Sequence, residues 1–209
     1  MSELPFRLLL ITNRKLTHSR PLISVLEQAL LAGLKAVQLR EKDLSALQLY
    51  QFGLQLKQLC LTYEATCLIN ERFDIAAAVD ADGVHLTSNG MPADVVRKHI
   101  SNNKLIGVST HSLREAQLAQ QNGSDYILFG PVFQTPEKRK YGSPQGLKKL
   151  QEVTERVQIP VVAVGGITPD NSRLCLEQGA TGVAVISAIL TSLNLENTLL
   201  EFKRYLGKL

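Results

Sequence analysis

Short apolar runs alternate along the chain with longer stretches in which apolar residues recur at helical spacing. RLLLITN (7–13) precedes PLISVLEQALLAGL (21–34), and KAVQLRE (35–41) precedes LSALQLYQFGLQLKQLC (44–60). ATCLIN (65–70) leads straight into ERFDIAAAV (71–79), DGVHL (82–86) into PADVVRKHI (92–100), and KLIGVS (104–109) into SLREAQLAQQNG (112–123). The last pairs are DYILFG (125–130) with LKKLQEVTERV (147–157), PVVAVGG (160–166) with PDNSRLCLEQG (169–179), and GVAVIS (182–187) with LENTLLEFKRYLGKL (195–209). The short runs are continuously apolar and β-branched, the pattern of strands buried on both faces. Gly33, Gly123 and Gly179 stand at helix ends, and Pro21, Pro92 and Pro169 near helix starts. Eight strand–helix units in strict alternation predict a single (β/α)8 barrel domain over residues 1–209. A doubly wound open sheet is the alternative, but eight regular units favour closure. No linker or low-complexity segment divides the chain.

In such a barrel the chemistry lies in the loops after the strands. The second run ends Gln38-Leu39-Arg40-Glu41-Lys42, and strand alternation puts Gln38, Arg40 and Lys42 on one side. Two cations and an amide at one mouth suit an anionic ligand, with Arg as a fork for phosphate oxygens and Lys as a point charge. The bland alternative is that Arg40 and Lys42 pair with Glu41 or Asp43 at the rim. The third run ends at Asn70, the fourth at His85, and the fifth at Ser109 with His111 two residues on. The sixth opens into PVFQTPEKRKYG, where Lys138, Arg139 and Lys140 crowd together. The seventh ends in Gly165-Gly166, glycines that let the backbone approach a ligand without a Cβ in the way, and the eighth in Ile186-Ser187; backbone N–H groups of Gly166, Ile186 and Ser187 could bind one phosphate. A simple tight turn is the plain reading of the glycine pair.

Composition narrows the function classes. Of 209 residues, 44% are apolar and 20% charged, an ordinary soluble balance. The net charge of +4, the absence of Trp and an aromatic content of 5% give no nucleic-acid signature. Cys60, Cys67 and Cys175 suit neither a disulfide framework nor a zinc site and read as buried reduced thiols. The N-terminus lacks the basic start and cleavage site of a signal peptide, and no apolar run reaches membrane-spanning length. A cytoplasmic protein is the expectation.

Seven blocks in order carry a resemblance: VQLREKD, LIN followed by an acidic residue and Arg72, ADGVHL, IGVSTHS, DYILFGPVFQTPEK, PVVAVGGI and GVAVISAI. The chain resembles the thiamine phosphate synthase family and its thiazole tautomerase relatives along nearly its whole length. The resemblance implies a barrel enzyme of thiamine biosynthesis, a transferase that joins an aminopyrimidine methyl diphosphate to a thiazole phosphate with release of pyrophosphate. It implies Gln38, Arg40, Lys42 and Asn70 around the pyrimidine diphosphate, Ser109 on the pyrimidine and Lys138 on the diphosphate. Thr135 then lies in the thiazole-phosphate loop, and Gly166, Ile186 and Ser187 form the phosphate cup. It also implies magnesium bridging the diphosphate, and two small phosphorylated ligands with no nucleic-acid or membrane partner. A homodimer is compatible with it.

Three positions depart from the family's pattern. Its first metal-binding Asp is here Glu71, its second falls at Gly90 beside Asn89, and a Thr of the sixth loop is Glu137. The metal site is thus reduced to Glu71, and magnesium is expected to be weakly held. Tautomerases also lack the metal pair, but their His in the sixth loop is here Pro131. His85 and His111 are the remaining acid–base candidates. A non-catalytic thiamine-phosphate-binding regulator is the third reading.

Overall fold

Each strand is buried at nearly every position because alternate residues enter two different cores. The computed structural model describes residues 4–135, 144–207 and 209. Its strands are β1 (Leu8–Ile11), β2 (Ala36–Leu39), β3 (Thr66–Asn70), β4 (Gly83–Leu86), β5 (Leu105–Thr110), β6 (Tyr126–Phe129), β7 (Val161–Val164) and β8 (Gly182–Val185). All pair in parallel in sequence order, and β1 closes on β8 with Leu8 opposite Val183 and Leu10 opposite Val185. Leu8, Leu10, Val37, Leu39 and Ile69 face the helices, while Leu9, Ile11, Ala36, Leu68, Leu128 and Ala184 fill the barrel. Two-sided burial explains why the sequence shows unbroken apolar runs. Leu4 and Phe6 join the inner core from below β1, Phe6 edge-on to Tyr126 with ring centroids 5.9 Å apart.

The helices are α1 (Leu22–Leu31), α2 (Ala46–Thr62), α3 (Phe73–Ala78), α4 (Ala93–Arg97), α5 (Leu113–Gln121), α6 (Gly146–Arg156), α7 (Pro169–Glu177), α8 (Ser187–Leu190) and α9 (Leu195–Leu206). Ser45 and Gln48 form a capping box on α2, and Thr168 with Asn171 forms another on α7. Gly33, Gly123 and Gly179 turn the chain at positive φ just past α1, α5 and α7. Strict alternation is exceeded at two places: a 3₁₀ turn at Arg14–Leu16 follows β1, and the one-turn helix α8 stands between β8 and α9. Both are too short to show a helical period, so the pattern could not reveal them.

One row of the barrel interior positions the site. Asn70, His85, Gly107 and Tyr126 lie side by side in register on β3, β4, β5 and β6. Gly107 has no side chain to separate its neighbours. A Cβ there would fall inside the envelope of Tyr126 Cζ and 2.5 Å from His85 Nδ1. His85 and Tyr126, two strands apart, therefore touch across the glycine, with ring centroids 5.6 Å apart.

Candidate functional site

The mouth of the barrel is built around β2. Gln38 faces inward and is 1% exposed, while Arg40 is half-buried just past the end of the strand. The strand stops at Leu39, so alternation does not carry on to Lys42. Lys42 instead lies exposed in the following turn, lining an open hollow with Asn70, Glu71 and Arg72.

The rim pairing of Arg40 and Lys42 with Glu41 and Asp43 does not occur. Arg14, on the 3₁₀ turn after β1, takes both acids. Its guanidinium donates to Glu41 Oε2 at 3.0 Å and to Asp43 Oδ1 at 2.6 Å, and its backbone N–H donates to Glu41 Oε1 at 2.9 Å. Lys15 Nζ adds a second cation 2.8 Å from Asp43 Oδ2. Hydrogen bonds from Arg14 and then Lys15 hold the Asp43 carboxyl far below its usual range. Among the described residues, the Arg40 guanidinium and the Lys42 ammonium make no side-chain hydrogen bond or ion pair. Their charge stays available to a ligand.

Beside them runs a chain of hydrogen bonds anchored on a carboxylate. Glu71 accepts from Thr87 Oγ1 at 2.8 Å and from Asn70 Nδ2 at 3.2 Å. Asn70 Oδ1 in turn accepts from Gln38 Nε2 at 2.9 Å. A carboxylate only accepts, so it orients both amides in series. Gln38 Oε1 is left buried with no partner among the described residues. Glu71 holds φ at +58°, where a non-glycine residue is strained, while its N–H bonds His85 O at 2.8 Å.

A second chain lies deeper. His85 Nδ1 is 3.2 Å from Tyr126 Oη and His85 Nε2 is 2.9 Å from Ser109 Oγ. Burial, and then the Arg40 charge, push the His85 imidazole down to about 3. Burial pushes the Tyr126 phenol well above its usual range. His85 is therefore a neutral interior group beneath Ser109, not a solvent-facing acid–base residue. His111, the other candidate, is pinned: its Nδ1 meets Gly130 O and its backbone N–H donates to Glu115 Oε2 at 2.8 Å.

His85 carries a stability prediction. The folded protein resists protonating it down to about pH 3, whereas the unfolded imidazole takes a proton near 6.5. The unfolded state thus binds more protons below 6.5, and stability falls as pH drops through that window. From this group alone the loss between pH 7 and 5.5 is about 1 kcal/mol. Urea unfolding at both pH values is expected to show a smaller loss in His85→Asn than in the original. An equal loss in both excludes His85 as the titrating group.

Across the mouth, the loop after β6 continues as an extension along β7: Val132 N–H donates to Val164 O and Phe133 N–H to Gly165 O, both at 2.9 Å. A Cβ on Gly166, at φ +65°, would lie 2.6 Å from Gln134 O. Only glycine lets the segment before Thr135 cross here. Asn171 Nδ2 donates to Gly166 O at 2.9 Å, fixing that peptide. Ile186 and Ser187 lie at the end of the neighbouring strand, with Ser187 opening α8. Lys138, Arg139 and Lys140, with Glu137, fall in residues 136–143, outside the described residues.

Sequence reasoning missed Arg14, Thr87, Gly107 and Tyr126. Two carried a signal: a glycine inside a strand marks a close approach, and Tyr126 is in inward register with Leu128. Arg14 and Thr87 carried none, since only the folded chain brings them to their acids.

Fold and mouth together make a (β/α)8 barrel with two cations at the end of β2 that no acid among the described residues engages. The family model described as thiamine monophosphate synthase matches residues 8–189. A putative thiamine-phosphate synthase of Geobacter sulfurreducens is 46% identical over 91% of this chain and 89% of that protein. The thiamine-phosphate synthase of Alkaliphilus oremlandii is 44% identical over 91% of each chain. The solved structure of thiamine phosphate pyrophosphorylase from Pyrococcus furiosus superposes with a TM-score of 0.87 at 38% identity, covering 96% of this chain and 95% of that one. The chain belongs to the thiamine monophosphate synthase family.

Proposed function

We propose that this protein is a thiamine-phosphate synthase, joining an aminopyrimidine methyl diphosphate to a thiazole phosphate and releasing pyrophosphate. The carrying observation is the β2 loop: Arg14 and Lys15 engage the acids next to Arg40 and Lys42, leaving two cations for a diphosphate. Membership of the family supports the same reading.

In the reaction the bond between the pyrimidine methylene and the diphosphate oxygen breaks, and its electron pair leaves with pyrophosphate. The amino-substituted ring stabilises the resulting cation, and the thiazole nitrogen attacks the methylene to form the new C–N bond. The protein's task is to neutralise charge as it grows on the leaving group, with donors already in place, and to exclude water. Arg40, Lys42 and Lys138 serve the leaving group. Gln38, whose Oε1 awaits a donor, Asn70 and Ser109 orient the pyrimidine. Thr135, Gly166, Ile186 and Ser187 hold the thiazole phosphate. Both ligands are small and phosphorylated, nucleic acid has no part, and a homodimer is compatible with the site. Among the described residues no helix is long and apolar enough to cross a membrane. A cytoplasmic location belongs to the synthase reading, since its family is one of biosynthetic enzymes.

Magnesium needs a test against the donors present. Among the described residues no group of three or more His, Cys, Asp or Glu could hold a metal. Glu71 is the carboxylate of the hollow not engaged by a cation, since Glu41 is bound by Arg14. One carboxylate plus substrate phosphates suffices for magnesium, which commonly binds that way. The residues thus fit an ion that arrives with the diphosphate, held on the protein side by Glu71. Bound there, magnesium supplies positive charge to the departing pyrophosphate.

The test is to mix both substrates with magnesium. Thiamine phosphate and pyrophosphate in equal amounts are expected. Tautomer exchange of a thiazole carboxylate phosphate without that product supports the tautomerase reading instead, and binding without turnover a regulator. Gly90→Asp restores a second carboxylate; its Cβ would sit 3.1 Å from Thr87 Oγ1, tight but without a positive φ. This folded variant is expected to saturate at several-fold lower magnesium than the original. An unchanged magnesium requirement refutes the account of the reduced metal site.

A further inference from the structure

We propose that Tyr126 and His85 are positioning residues that fix the Ser109 hydroxyl as a hydrogen-bond donor toward an acceptor atom of the aminopyrimidine diphosphate. The proposal rests on the synthase reading for its ligand, and on the geometry of the barrel interior for its direction.

The direction follows from hydrogen-bond bookkeeping among three atoms. His85 is buried, and among the described residues its two ring nitrogens meet only the Tyr126 and Ser109 hydroxyls and no carboxylate, so the imidazole is neutral: one ring nitrogen donates and the other accepts. If Nδ1 carried the proton it would donate to Tyr126 Oη. The phenol hydrogen would then need another acceptor, and Tyr126, fully buried, has none among the described residues besides His85. A buried unmade hydrogen bond is costly. The other arrangement leaves nothing over. Tyr126 O–H donates to Nδ1 at 3.2 Å, and Nε2–H donates to Ser109 Oγ at 2.9 Å. The Ser109 hydrogen is then free, and Ser109 is half-exposed where Tyr126 and His85 are buried. The one direction in which all interior donors are used points the final donor out of the interior.

The barrel is built to allow this relay. Tyr126 and His85 stand on β6 and β4, and the strand between them carries Gly107 at the level where they meet. A side chain there would part them. Phe6 packs edge-on against the Tyr126 ring from below, which steadies the phenol. Among the described residues the Tyr126 hydroxyl and the two His85 ring nitrogens bond only each other and Ser109 Oγ, polar contacts that packing alone does not require.

The first measurement is made on unaltered, unliganded protein. Nitrogen-15 NMR of histidine-labelled protein is expected to show His85 as the Nε2–H tautomer, with Nδ1 unprotonated. The Nδ1–H tautomer overturns the proposal, whatever the reaction turns out to be. The second is a cycle of Tyr126→Phe and Ser109→Ala, read in thiamine phosphate formation. Tyr126→Phe keeps the ring and removes the donor. It is expected to lower kcat about fivefold, the value of one neutral hydrogen bond, with the KM for the thiazole phosphate little changed. In the Ser109→Ala background the same change is expected to have no effect, because it acts through the missing hydroxyl. Equal losses in both backgrounds mean that Tyr126 acts through packing, and the relay is refuted. Should the protein not turn over, the synthase reading fails, and the cycle is read instead in calorimetric affinity for the aminopyrimidine methyl diphosphate, with the same two outcomes.

Discussion

Gly107→Ala is expected to lower the stability of the protein by 3 kcal/mol or more, in the range of severe overpacking. The added methyl would overlap the Tyr126 ring and crowd His85 Nδ1, and neither neighbour can retreat. Tyr126 is fully buried against Phe6, and His85 is tied to Ser109 and Tyr126. For a domain of about this size each kcal/mol shifts Tm by roughly 2–4 °C, so a fall of about 6–12 °C is expected. Tyr126→Val removes the ring the methyl strikes, so in the Gly107→Ala background it is expected to cost less than in the original. Thermal melts of the four proteins decide it: an unshifted Tm for Gly107→Ala, or strictly additive losses, means that the row is not packed as described.

Arg14→Ala is the second large effect. Glu41 has a side chain only 2% exposed and finds its cation in Arg14, itself 30% exposed. Removing one partner of a buried pair leaves an uncompensated charge, at a cost of about 3–5 kcal/mol when both are enclosed. Water reaches Arg14, so about 2–3 kcal/mol is the expectation. Binding changes too. The freed Glu41 carboxylate adds negative charge beside Arg40 and Lys42, so affinity for the aminopyrimidine diphosphate is expected to fall at least tenfold. Glu41→Gln in the Arg14→Ala background is expected to restore part of both. Calorimetry and urea unfolding test the pair, and full stability with unchanged affinity in Arg14→Ala removes Arg14 from the account.

The barrel was legible because two-sided burial writes itself as continuous apolar runs, eight of which are visible in the chain. The strand ends were legible in the same runs: period two put Gln38 and Arg40 on one side of the second run and the third run ended at Asn70, and the structure buries Gln38 and Asn70. The limit of that logic is Lys42, which lies beyond the end of β2 and takes its place from a turn. The bland pairing of Arg40 and Lys42 with their sequence neighbours failed because Arg14, 27 residues before Glu41, reaches those acids first. No period or spacing links β1's loop to β2's. His85 illustrates the same gap in another form. Its position at a strand end was visible, but its neutrality depends on burial beside Tyr126, two strands away.

The pairing of β1 with β8 has a consequence for how the protein comes to be made. Val183 lies 175 residues after its partner Leu8. At bacterial or eukaryotic ribosome speeds of about 5–20 residues per second, β1 waits roughly 10–35 s for the strand that covers it. During that time Leu8, Leu9 and Leu10 present an unpaired apolar edge, the kind of edge that recruits other chains. The nascent barrel is an open sheet until its last strand leaves the ribosome, and chaperone demand should concentrate in that interval, before β8 is released.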